Sequence, residues 1–171
     1  LVEDGEVVVG TVSAPALGRR WWAMKDGGSY PGRSLAQARR LQVSQVSRLE
    51  DASLSISSLT GWKDRGWREG MLELQDTVWR TRGYGDFFSY TLAAEGAIDI
   101  ACEPELNLYD MAALVPIVTE AGGRFTSLQG EEGPWGGNAL VTNSLLHERV
   151  LDVLGTRDAE KTPTPLPGSR G

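Results

Sequence analysis

The stretch Asp99-Ile100-Ala101-Cys102-Glu103-Pro104-Glu105-Leu106-Asn107-Leu108-Tyr109-Asp110-Met111-Ala112-Ala113-Leu114-Val115-Pro116-Ile117-Val118-Thr119-Glu120-Ala121-Gly122-Gly123 decides the fold. Residues 97–102 are short and apolar with one charge, the pattern of a mostly buried strand. A turn rich in Glu, Pro and Asn follows. Met111, Leu114, Val115, Val118 and Ala121 then recur at helical spacing, and Gly122-Gly123 supplies a stop. Three acids, Glu103, Glu105 and Asp110, fall between the strand end and the first helical turn. A rigid strand and helix hold carboxylates there at a cleft mouth, as a hard cation such as Mg²⁺ requires. The same spacing suits an N-cap role for Asp110. Spacing alone leaves both readings open.

Working outward, residues 86–96 read as a helix, with Phe87, Tyr90, Thr91 and Ala94 on one face and Asp86 as its N-cap. Downstream, residues 124–127 and 139–142 are strands around the Gly-rich loop 130–137. That loop lacks the Lys-Ser/Thr of a phosphate-binding P-loop. Asn143 caps a last helix over residues 145–154. From Gly155 the Pro, Thr, Ser and Gly content predicts a disordered tail, 155–171. Upstream, Asp4-Gly5 predicts a hairpin within residues 1–12. Strands over 20–24, 41–46 and 54–58 follow, separated by turns, as an antiparallel meander. A short helix over 67–76 and a strand over 77–81 complete the pattern. The chain is expected to be one α/β (α+β) domain over residues 1–154.

Composition narrows the function classes. The 171 residues carry 17 basic and 23 acidic side chains, a net charge of −6. Such a balance gives no support for binding nucleic acid or an anionic membrane, and it repels a free phosphorylated metabolite unless a cation intervenes. A metal is therefore a sensible expectation for phosphate chemistry. The lone Cys102 excludes an intramolecular disulfide and suits a reducing cytoplasm. Its sequence neighbours, Ala101 and Glu103, do not activate a thiol, so it reads as a buried structural residue. No apolar run approaches the ~20 residues that span a bilayer. His147, the only histidine, is expected on the outward, solvated side of the last helix beside Glu148 and Arg149. The six Trp are assigned to packing.

Several segments together resemble a known family. Ala93-Ala94-Glu95-Gly96-Ala97-Ile98-Asp99, Glu103, Tyr109-Asp110-Met111-Ala112-Ala113 and Thr119-Glu120-Ala121-Gly122-Gly123 resemble the C-terminal signature of the inositol monophosphatase superfamily. That signature is Trp-Asp-x-Ala-Ala, a helix, then Glu-Ala-Gly-Gly, with Tyr109 here in place of the Trp. The Gly85-Asp86-Phe87-Phe88-Ser89-Tyr90 run and the Glu103-Pro104-Glu105-Leu106 turn look closest to the histidinol-phosphate phosphatase branch. Gly10-Thr11-Val12, Arg20-Trp21-Trp22-Ala23 and Leu41-Gln42-Val43-Ser44 fit the family's middle strands.

The resemblance implies a layered α/β/α/β/α sugar-phosphatase fold and Mg²⁺-dependent hydrolysis of a phosphate monoester. In such sites divalent ions clamp phosphate oxygens and activate a water. It implies that Asp110 is a metal ligand and that Glu103 hydrogen-bonds a substrate hydroxyl or amine. It further implies that Asp86 lies at the substrate rim, where a carboxylate can receive the amine of histidinol phosphate. A homodimer is expected by the same resemblance. Sibling activities are hydrolysis of inositol 1-phosphate or fructose 1,6-bisphosphate.

The family's upstream Glu-Glu and Asp-Pro-x-Asp-Gly-Thr motifs, which supply most metal ligands, have no counterpart in this sequence. The family's N-terminal part is thus expected to be missing. No catalytic residue is identified, and the chain alone is expected to be inactive as a phosphatase. The alternative from another class is a non-catalytic remnant that binds or oligomerises with a partner.

Overall fold

The computed structural model describes residues 1–32, 34 and 39–156. A two-stranded hairpin opens the chain, β1 (Val2–Glu3) with β2 (Glu6–Val7). Asp4 and Gly5 turn it with φ of 49° and 82°, the double left-handed geometry that suits the right-handed twist of paired strands. The antiparallel sheet β3-β4-β5 follows, from β3 (Val9–Ala14), β4 (Arg19–Met24) and β5 (Gly28–Pro31). Arg19 and the Trp21 indole Nε1 both donate to the Glu95 carboxylate, the indole at 2.5 Å. That contact ties the meander to the end of a helix from the middle of the chain.

The second sheet has the order β7-β6-β8-β10-β9. It is built from β6 (Ser53–Ser55), β7 (Arg80–Arg82), β8 (Ile100–Glu103), β9 (Arg124–Thr126) and β10 (Ala139–Thr142). Strand β6 runs parallel to β7 and β8, whereas β8 and β9 both pair antiparallel with β10. On one face pack α1 (Thr60–Asp64), α2 (Arg68–Thr77) and α6 (His147–Leu154), sealed by Trp62, Met71, Leu74, Leu140 and Leu151. On the other face lie α3 (Asp86–Ala94), α4 (Leu108–Met111) and α5 (Leu114–Thr119), around Tyr90, Met111, Ile117, Phe125 and Val141. Helix α5 also touches all three meander strands. The described residues thus build four successive layers, α/β/α/β, of the expected architecture.

Strand β8 sits in the middle of its sheet and is buried at every position. Alternation sends its side chains to opposite faces. Ala101 joins the core beside α3, and Ile100 and Cys102 join the core beside α2 and α6. By the same parity Glu103 shares the Ala101 face. Asp99 braces the strand entrance: its Oδ2 accepts from the Ser53 backbone N–H at 2.6 Å and the Ser53 hydroxyl at 2.8 Å, and its Oδ1 accepts from Ser44.

Several local expectations need correcting. The helix expected after residue 110 is two helices with a break at Ala112-Ala113. Pro116 has no N–H to give the Ala112 carbonyl, and its ring crowds that carbonyl. Residues 41–46 belong to no sheet. They are held instead by Val43 N–H to the Ala121 carbonyl at 3.0 Å and by Asn143 Nδ2 donating to Ser44 Oγ and the Val46 carbonyl, at 2.9 and 2.7 Å. The strand expected over 77–81 begins at Arg80, because α2 runs through Thr77. Helix α1 had no sequence signal beyond its polar residues.

His147 is 0% exposed rather than solvated. The Thr126 hydroxyl gives its proton to the Ser127 carbonyl at 2.6 Å, so His147 Nε2–H donates to Thr126 Oγ1 at 2.9 Å. Its Nδ1 accepts from the Thr142 hydroxyl at 3.0 Å. A ring with both nitrogens satisfied by strand threonines packs inside at low cost. Gly155 ends α6 with φ 62°, and Thr156 is buried, donating to the Leu128 carbonyl. The rest of the expected tail, 157–171, lies outside the described residues.

Gly10 marks the closest approach between the meander and the helical layer. A Cβ there would lie 2.1 Å from the Ala113 carbonyl oxygen and 2.8 Å from Pro116 Cγ. Backbone cannot yield to such a contact without shifting the α4–α5 junction. Gly10→Ala is expected to destabilise the chain by about 3 kcal/mol, read as a lower urea midpoint at unchanged slope. Wild-type stability would show that the two layers do not meet as described.

Candidate functional site

Three chain segments converge on a cavity of about 430 Å³ lined by Thr11 and Val12 of β3, Asp86, Phe87 and Tyr90 of α3, and Leu106, Tyr109, Asp110 and Ala113 around α4. Two of the three expected site residues, Asp86 and Asp110, therefore share one wall. Both are exposed, and no Lys, Arg or His among the described residues lines the space.

Asp110 occupies the third position of α4, whose N-cap is Asn107. Its Oδ2 accepts the Asn107 backbone N–H at 3.1 Å, the reciprocal half of a capping box. The helix start thereby fixes the carboxylate at the cavity. Asp86 is not the N-cap of α3. Gly85 takes that position, and Asp86 begins the helix with φ 45° and no capping bond to its side chain. A non-glycine residue in left-handed conformation is uncommon, although Asp tolerates it better than most.

Glu103 ends β8 on the same side, only 8% exposed. Its Oε2 accepts the Ser57 hydroxyl at 3.2 Å. Burial pushes its carboxyl up to about 7, Asp86 and Asp110 add to the rise, and the Ser57 and Tyr90 hydroxyls oppose it. The three expected residues thus form one electrostatic unit, with Glu103 behind the wall that Asp86 and Asp110 face. Glu105 departs from the unit. It is exposed and pairs with Arg65 at 3.4 Å, beyond α1. Asp86, remote in sequence, takes its place beside the other two acids.

The sequence reading assigned no site role to Tyr90, Ser57 or Tyr109, which the structure brings beside these acids. Tyr90 lay in plain view as a core position of α3, one turn after Asp86. That i, i+4 spacing puts the two side chains on one side of the helix. Cys102 is buried and its thiol is pushed up by that burial, consistent with a structural role.

A second cavity of about 440 Å³ lies between β2, α5 and the loop carrying Trp135. Lys25 and Glu120, among its polar groups, are committed to the fold. Lys25 pairs with Glu6 at 2.6 Å, and Glu120 accepts the backbone N–H groups of Asp26 and Gly28 at 2.8 Å each. The acidic cavity is the better candidate site.

Residues 1–160 match the Inositol monophosphatase family. A histidinol-phosphatase from Streptomyces coelicolor is 58% identical over 150 residues, 88% of this chain and 56% of that protein. A histidinol-phosphatase from Mycobacterium tuberculosis is 57% identical over 154 residues, 90% of this chain and 59% of that protein. The chain thus spans less than two thirds of the length of these relatives. Among solved structures, an inositol monophosphatase from Zymomonas mobilis superposes with a TM-score of 0.81 at 27% identity, covering 90% of this chain and 60% of that one. An IMPase from Thermotoga maritima gives 0.77 at 28% identity, over 94% and 61%. With the family match running from Leu1 to residue 160 and its fold recovered in solved relatives, the chain belongs to the inositol monophosphatase family.

Proposed function

We propose that this chain forms one wall of the active site of a Mg²⁺-dependent phosphate monoester hydrolase acting on histidinol phosphate. The observation that carries the reading is the charge of the cavity: Asp86 and Asp110 line it, Glu103 adjoins it, and among the described residues no basic side chain faces it. A bare phosphate is repelled by such a wall and an ammonium group is drawn to it. The relatives named histidinol-phosphatase, at 57–58% identity, supply the candidate substrate, which carries both groups.

Members of the family are generally metal-dependent. Mg²⁺ favours six oxygens in near-octahedral geometry. Among the described residues no three His, Cys, Asp or Glu side chains are grouped to hold a metal ion. They do not make a Mg²⁺ site on their own. Asp110 is proposed as one ligand of a site that needs carboxylates beyond them. Asp86 and Glu103 receive the substrate amine. An ammonium beside Glu103 favours its ionised form, so a group that burial keeps partly protonated becomes a full counter-charge when substrate docks. No helix among the described residues is long and apolar enough to cross a membrane. The buried, free Cys102 supports the proposal of a cytoplasmic enzyme, since a reducing compartment keeps thiols free. The homodimer is proposed on family resemblance.

Phosphate release tests the reading. The chain is assayed alone and joined to the part of the Streptomyces relative outside the match, with histidinol phosphate, inositol 1-phosphate and fructose 1,6-bisphosphate. The joined protein is expected to prefer histidinol phosphate at least tenfold in kcat/KM and to lose activity with EDTA. Asp110→Asn in it is expected to lower kcat/KM about 100-fold or more, on the order of 3 kcal/mol. Equal turnover of inositol 1-phosphate, or an unaffected Asp110→Asn, would contradict the proposal.

Glu103 also sets a pH dependence. Its carboxyl, at about 7 in the fold, binds its proton more tightly there than in the unfolded chain. Its contribution to stability is therefore present below the ordinary carboxylate range and is lost as pH rises toward 7. Glu103→Gln is expected to flatten this part of the profile. Its advantage over wild type should grow across that window to on the order of 2 kcal/mol, read by urea unfolding at a series of pH values.

A further inference from the structure

Tyr90 lines the acidic cavity and is only 1% exposed. Its hydroxyl is buried and has no hydrogen-bond partner. Glu103 is its near neighbour: the two groups perturb each other's ionisation, the carboxylate raising the phenol and the phenol lowering the carboxyl, without closing a full hydrogen bond. Ser29 Oγ, Trp62 Nε1 and Arg80 Nε are likewise buried and unpartnered among the described residues, but of these four atoms only the Tyr90 hydroxyl belongs to a residue lining this cavity. An unpaired buried hydroxyl costs stability, and Phe would fill the same space without that cost. The ring itself packs against Phe125, with centroids 6.1 Å apart, a contact that Phe would keep. The hydroxyl is therefore the part of Tyr90 whose hydrogen-bonding capacity the fold leaves unfilled.

We propose that Tyr90 is a specificity-determining residue, its hydroxyl accepting a hydrogen bond from an N–H of an amine-bearing ligand while donating its own proton to Glu103. The inference deepens the reading above and rests on it. A phenol hydroxyl is both donor and acceptor, so one small shift satisfies it on both sides. Burial, then Glu103, hold the phenol well above its usual range, which keeps it protonated as a donor. The negative charge of Asp86 and Asp110 selects an ammonium over a neutral hydroxyl at the same position.

The 171-residue chain, Tyr90→Phe and Asp86→Asn are titrated with L-histidinol and, separately, with myo-inositol by NMR, and each protein is melted without ligand. L-Histidinol is expected to bind the chain and myo-inositol to bind at least tenfold more weakly. Tyr90→Phe should weaken L-histidinol at least tenfold while its melting midpoint holds or rises by about 2–4 °C. Unchanged affinity in Tyr90→Phe, with loss in Asp86→Asn, overturns the role of Tyr90 and leaves the cationic site standing. Weakened binding with a lowered midpoint makes the hydroxyl structural and also overturns it. Wild-type affinity in Asp86→Asn, no L-histidinol binding to the chain, or equal binding of myo-inositol overturns the reading beneath it as well.

Discussion

The carboxylate of Glu103 is carried into the interior by a strand with no exposed face, and it stays there because other groups are arranged around it. Strand β8 lies between β6 and β10 with apolar helices on both sides. A charge at its end faces a desolvation cost that the Ser57 hydroxyl, helped by Tyr90, offsets only in part. The parity of the strand aims Glu103 at the face where α3 and α4 begin. Those helix starts bring two more acids, Asp86 and Asp110. Like charges gathered without a cation are a poor bargain for folding, which is the physical reason to regard the place as made for a positively charged group.

The surrounding layers hold that arrangement in position. Gly10 lets β3 approach the α4–α5 junction, so Thr11 and Val12 stand opposite Asp110. The break forced by Pro116 separates α4 from α5. Helix α4 follows the cavity while α5 packs onto the meander. Asp99 and Asn143 hold the extended segment 41–46 with side chains where no ladder exists. Rigid elements, rather than loops, therefore position the acids. This is how a site keeps its geometry.

Much of this could be read in the residues. Strand β10 was expected over the four residues it occupies, and α3 and β8 were placed to within a few positions, since apolar periodicity reports burial directly. Asp110 and Asp86 were singled out because their segments resemble a family motif. What escaped was tertiary. Nothing local says that two threonines from neighbouring strands await His147, so its polarity suggested solvent when the fold provides an interior niche. Glu105 and Glu103 are two apart in sequence yet part company, because the turn at Pro104 sends Glu105 to Arg65. Tyr90 looked like core, and its ring is core. Only the structure shows that its hydroxyl has been left over.

The central claim is that Asp86 and Asp110 act on Glu103 across a single cavity wall. A ¹³C NMR titration of the Glu103 side-chain carboxyl, in wild type and in Asp86→Asn, tests it most directly. A midpoint at about 7 that falls when Asp86 loses its charge is the predicted result. A midpoint in the ordinary carboxylate range, indifferent to Asp86, would contradict it.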